Sequence, residues 1–113
     1  MKRFRLEDMK GGWFVGNFTP TAFHATGFEV CYKHHKAGEQ WDVHYHKLGT
    51  EINLLVQGKM RLQDTLLSAG DIFILEPYEI ADPVFLEDCD VVIIKTPSIP
   101  GDKYVVSSEE TSS

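Results

Sequence analysis

An all-β fold, an antiparallel barrel or sandwich of short strands, is what this sequence predicts. Three observations predict it. Apolar runs of strand length recur from the first tryptophan to Thr96; helical periodicity is nearly absent; and turn residues separate the runs at regular intervals, which suggests antiparallel hairpins. The chain has 113 residues, of which 42% are hydrophobic and 25% charged. That is enough for one soluble globular domain with a core of its own and leaves no room for a second.

The runs follow in order. "WFVGNF" (13–18) comes after the Gly11–Gly12 turn, and "FEVCYKHH" (28–35) ends ahead of Gly38. "DVHYH" (42–46) precedes Gly49, and "EINLLVQ" (51–57) is closed by Gly58. "KMRLQ" (59–63) and "DTLL" (64–67) lead to Gly70, "DIFIL" (71–75) to Pro77, and "DPVFL" (82–86) and "DVVIIKT" (90–96) complete the set. In "EINLLVQ", period two places Asn53, Leu55 and Gln57 on the face of Glu51, inside, and turns Ile52, Leu54 and Val56 outward. Three aliphatic side chains facing out need a cover, either the N-terminal strand with Trp13 and Phe14 or a second copy of the chain. The expectation is a homodimer.

Beyond the last run, "KTPSIPGDKYVV" carries Pro97 and Pro100 in a stiff connector and a turn at Gly101–Asp102. Its residue types name no chemistry, so it reads as a strap across the barrel or a dimer contact. The domain is expected over 1–107, with its core at 13–97. The polar end at 108–113 reads as a disordered tail, since it has little apolar surface to offset its ordering entropy.

A net charge of −6 and a pI near 5.2 argue against general nucleic-acid binding, which needs clustered cations; the short "MKRFR" start is too small to reverse that. No apolar run reaches membrane-spanning length and no secretory h-region is present, so a cytosolic location with no membrane association is expected. Cys31 and Cys89 have no metal-binding spacing and are expected as buried free thiols.

The chemistry concentrates in "HYHKLGTE", residues 44–51. Alternate strand residues share a face, so His44 and His46 point together. Glu51 is out of phase with them on one continuous strand, but a reversal at Lys47–Thr50 would bring it beside them on a neighbouring strand. Two imidazoles and a carboxylate make a set suited to Mn, Fe, Ni or Zn. Asn53, Arg61 and Gln63 are candidates to hydrogen-bond a polar substrate. Of His34 and His35 only one can face inward, with ligation less expected than exposure, and His24 has a weaker claim. Tyr78 and Phe85 read as core residues or pocket lining, with core favoured.

Gly38, His44, His46, Glu51 and Gly58 fall at the spacing G-x5-H-x-H-x4-E-x6-G. In this the chain resembles the cupin superfamily, whose first motif has that pattern, over roughly residues 13–97. The resemblance implies a cupin-type antiparallel β-barrel, or jelly roll, and a divalent metal held by His44, His46 and Glu51. The second cupin motif is half present: Gly70 opens it, Pro77 falls one place late, and the position of its histidine is Ala81 or Asp82 by the two ways of counting. Asp82 is therefore the candidate for a fourth ligand or a general base. The implied function is a metal-dependent enzyme of dioxygenase, decarboxylase or isomerase type acting on a small oxygen-rich or sugar-derived molecule. The alternatives are a metal-free sugar epimerase or isomerase, in which a barrel histidine is the base and a tyrosine the acid, and a non-catalytic binding module.

Overall fold

The computed structural model describes residues 1–106; the expected tail at 108–113 lies outside the described residues. After a short 3-10 turn at Leu6–Asp8 the described residues form eleven strands. They are β1 (Trp13–Gly16), β2 (Phe23–His24), β3 (Glu29–His35), β4 (His44–Tyr45), β5 (Thr50–Gln57) and β6 (Lys59–Leu62), then β7 (Thr65–Ser68), β8 (Ile72–Leu75), β9 (Val84–Phe85), β10 (Cys89–Thr96) and β11 (Tyr104–Val105). The nine expected strands are present with shifted ends. β2 and β11 were not foreseen, because a two-residue strand is defined by its partner and not by its own pattern.

A six-stranded sheet runs β2-β1-β3-β10-β5-β8, and two small sheets, β7-β6-β9 and β11-β4, lie apart from it in pairing. The hairpin expectation holds for β6 and β7, joined through Gln63 and Asp64, both at positive φ. Elsewhere, apart from the neighbouring β1 and β2, the pairing is long-range. β10 lies between β3 and β5, antiparallel to both, and β1 pairs with β2 in parallel. The N-terminal strand is thus a member of the same sheet, not a cover over β5.

The core lies between the sheets, formed by Leu55, Met60, Leu62, Leu67, Leu75, Phe85, Cys89 and Val91. Leu55 is fully buried, so truncating it to alanine should cost about 2–5 kcal/mol. The register of β5 puts Glu51, Asn53 and Leu55 on the inner face as expected, and Leu54 and Val56 are 38% and 45% exposed. Gln57 departs from the expectation: the ladder slips between Asp90 and Val91, and Gln57, beyond the slip, is exposed. Gly58 follows at φ +100°, and a Cβ there would run into the Asp88 carbonyl. That close approach is the physical reason a glycine ends the 38–58 motif.

Candidate functional site

One cavity of about 310 Å³ opens inside the barrel, and His44, His46, Glu51 and Asn53 all line it. They arrive from different sheets. β4 pairs with β11 and bridges to Ala81, whereas β5 belongs to the six-stranded sheet, so the turn at 47–49 carries the chain from one wall to the other. The expected adjacency of the two strands is corrected accordingly: the histidines and the glutamate meet across the cavity. His46 Nδ1 lies 3.7 Å from Glu51 Oε2, and the two imidazole centroids are 5.4 Å apart, edge to face.

Each group is held in place. His44 donates from Nδ1 to the Asp42 carbonyl at 2.9 Å, which leaves Nε2 as the free nitrogen. Burial lowers the pKa of His44, and burial, with Lys95 and His44 adding to it, pulls His46 down to about 4. Both imidazoles are neutral near pH 7. Burial pushes Glu51 upward, opposed by a hydrogen bond from Asn53 and by the charges of Lys95 and Lys103. The Asn53 amide also donates to the Phe73 carbonyl at 3.4 Å.

The 47–49 turn is fixed from the far end of the chain. Asp102, buried, accepts from the backbone N–H groups of Lys47 (3.0 Å), Leu48 (3.2 Å) and Gly49 (2.8 Å). Burial would raise its pKa, but the three amides outweigh it and hold it below the ordinary value. β11 adds the pairs Tyr104 with Tyr45 and Val105 with His44. The 97–106 segment is therefore a strap, as expected, and it builds the site: Gly101, Asp102 and Lys103 line the cavity.

Several predicted residues lie elsewhere. Asp82 is exposed, and its Oδ1 accepts from the backbone N–H of Gln63 at 2.8 Å. It serves the β6–β7 turn and does not line the cavity, because Ala81 holds the inward position through its bridge to His44. Arg61 alternates outward between Met60 and Leu62 and is exposed, as is Gln63, whose amide donates to the Ile80 carbonyl. His24 contacts Asn17 at the surface. Tyr78 is exposed at φ +70°, stacked on Tyr45, and is not a core residue.

Of the His34–His35 pair one member lines the cavity, as expected, and residues not singled out join it. His34 is the outward member of its pair, bound to Asp90. His35 points inward, stacked on Phe85 at 4.1 Å and edge-on to Trp41 at 5.3 Å. The Glu39 carboxylate meets both His35 Nδ1 and Trp41 Nε1 at 2.5 Å. Lys33, Lys95 and Lys103 complete the charged wall, facing Glu29 and Glu51. Period two along "DVVIIKT" could have pointed to Lys95, in phase with Val91 and Ile93. Nothing in the local pattern marks Lys103.

The donor set agrees in kind with a divalent ion: two neutral imidazoles and one carboxylate. It is not drawn together as a ligand cage, since among the described residues no group of three or more His, Cys, Asp or Glu side chains is arranged to hold a metal. Among the described residues no helix is long and apolar enough to cross a membrane.

No family model matches the sequence, and no curated protein is similar to it at a significant level. Solved structures are similar in fold. A conserved protein with a double-stranded β-helix domain from Klebsiella pneumoniae matches with a TM-score of 0.65 and 21% identity, over 73% of this chain and 72% of that one. A cupin protein from Bacteroides fragilis matches at 0.55 and 24%, over 74% and 76%. A chain from the structures of the DMSP lyases RdDddP and RnDddQII matches at 0.68 and 16%, over 84% of this chain and 52% of that one.

Proposed function

The chain has the cupin fold, and from that premise we propose that it is a small cupin enzyme whose cavity holds a divalent metal through His44, His46 and Glu51 and acts on a small oxygen-rich molecule. The observation that carries this reading is the convergence of those three side chains on one cavity, with both imidazoles buried and kept neutral. The metal would supply Lewis-acid polarisation of a bound oxygen. The protein's own contribution is to orient the rings and exclude water. His44 is fixed by the Asp42 carbonyl, Glu51 is steadied by Asn53, and the apolar wall of Met60, Leu62 and Phe73 keeps the far side dry. The presence of lyases on this fold supports an enzymatic role.

Elemental analysis of the purified chain beside a His44→Ala, His46→Ala double variant tests the reading. Stoichiometric divalent metal in the wild type and its loss from the variant are expected. Equal content in both would remove it.

A second reading, proton transfer without a metal, is favoured by the open arrangement of the donor set. There His46 beside Glu51 would be the base. Among the described residues that line the cavity there is no tyrosine to serve as the acid expected with it, so the metal reading is preferred.

A further inference from the structure

The lysines on the cavity wall are unexplained by a metal site, and a second cation would repel the ion it faces. Lys95 is the most constrained of them. Its Cα partners are Glu51 on β5 and Glu29 on β3, so it stands in the middle of an inward charged row across three strands. It is only 8% exposed, and among the described residues no carboxylate oxygen comes within 4.0 Å of its Nζ. Its Nζ stays open to the cavity, with the Trp13 ring centroid 5.9 Å away, and the place of a counter-ion is unfilled.

The anions on this wall are poorly placed to fill it. Asp102 is engaged by three backbone amides. Glu51 is turned to His46 Nδ1, 3.7 Å away, and Glu29, like Glu51, keeps its carboxylate more than 4.0 Å from Lys95 Nζ. Lys103 adds a second ammonium on the same cavity wall, 4.7 Å from the Trp41 ring centroid. Lys33 is spoken for by the Gly11 carbonyl at 3.0 Å. His35, the remaining titratable group on the wall, is bound to Glu39.

We propose that Lys95 and Lys103 form an oxyanion subsite within the cavity, which receives the carboxylate or phosphate group of a small ligand while Met60, Leu62, Phe73 and Phe85 face its apolar remainder. The inference deepens the small-molecule reading above by naming the charge of the ligand, and it does not depend on the metal.

Thermal unfolding in the presence of EDTA tests it, with pyruvate and inorganic phosphate as probes and glycerol as the neutral control. Wild type, Lys95→Met, Lys103→Met and the exposed-site control Lys59→Met are compared. An anion should raise the Tm of wild type and Lys59→Met while glycerol does not, and the cavity variants should bind that anion roughly tenfold more weakly or worse. Whichever anion acts identifies carboxylate or phosphate as the group received. An unchanged anion response in both lysine variants, or no anion response at all in the wild type, overturns the proposal and leaves Lys95 as a charge balance for Glu29 and Glu51. Should Lys95→Met fail to fold by circular dichroism, Lys103→Met, at an exposed position, decides. The two readings are separable: loss of metal from the His44→Ala, His46→Ala variant with the anion response in EDTA retained would support each on its own, whereas equal metal content would remove the metal reading alone.

Discussion

Asp102 Oδ2 accepts a hydrogen bond of 2.8 Å from the backbone N–H of Gly49, across 53 positions of sequence. With the amides of Lys47 and Leu48 it closes the turn that separates the two histidines from Glu51. Asp102→Asn keeps the shape but removes the charge and one acceptor oxygen. It should cost about 1.5–3 kcal/mol, the range for hydrogen bonds to a charged group, measured as a fall in the urea midpoint, and it should weaken metal retention as well. Full metal content and stability in this variant would show that the turn holds its shape unaided.

Acid should destabilise the protein through His35. Burial lowers its pKa below 6.5, against the opposing pull of Glu39, so the unfolded state takes up a proton first. The stability that depends on neutral His35 is fully present above its unfolded pKa and is lost as pH falls from there toward the lower folded pKa. His35→Phe keeps a ring against Phe85 and removes that proton. Its urea midpoint should therefore fall less than that of the wild type between neutral and mildly acidic buffer; equal slopes would refute the assignment.

Asp82→Ala and Arg61→Ala should leave metal content and anion binding at wild-type levels, because both side chains are exposed and outside the cavity. Asp82→Ala should lose about 1 kcal/mol through the Gln63 turn it accepts from. A marked loss of metal in Asp82→Ala would restore the carboxylate to the site and contradict the geometry.

The outer face of the six-stranded sheet carries two apolar rows in register, Tyr32–Val92–Leu54–Ile72 and Val30–Ile94–Ile52–Ile74. Ile72 and Ile74, on the edge strand β8, are 68% and 52% exposed. A second copy of the chain is the proposed cover, and the expected solution mass is that of a dimer. Leu54→Lys with Ile72→Lys should halve it, as read by light scattering; a monomeric wild type would refute the dimer.

Cys31 and Cys89 are unpaired and completely buried. Burial pushes the Cys31 thiol up to about 11 and raises that of Cys89 as well. Neither should react with an aromatic disulfide near neutral pH until denaturant is added, because the thiolate is the reactive form. Rapid labelling of the native protein would contradict the packing around β3 and β10.

How much of this was legible follows from the range of the forces involved. Alternation in "EINLLVQ" gave the inward placement of Glu51, Asn53 and Leu55, because a strand's own sequence decides which side chains meet the core. His44, His46 and Glu51 line one cavity, but their spacing alone does not bring them there: the turn between them is closed by Asp102 from 53 positions away. Asp82 was misplaced because counting along a broken motif cannot see the bridge that turns Ala81 inward. Asp102 and Lys103 were invisible as site residues, since their role exists only once β11 lies against β4. His35 needed the ring of Phe85, 50 positions on, to distinguish it from His34.

The position of β10 between β3 and β5 has a consequence for synthesis. A nascent chain that has emerged only as far as residue 88 holds β3 and β5 with no strand to join them, and Leu55 and Cys31 with much of their packing missing. Closure must wait for residues 89–96, and the pocket's turn for Asp102 after that, so premature pauses in translation would leave an open, sticky half-barrel.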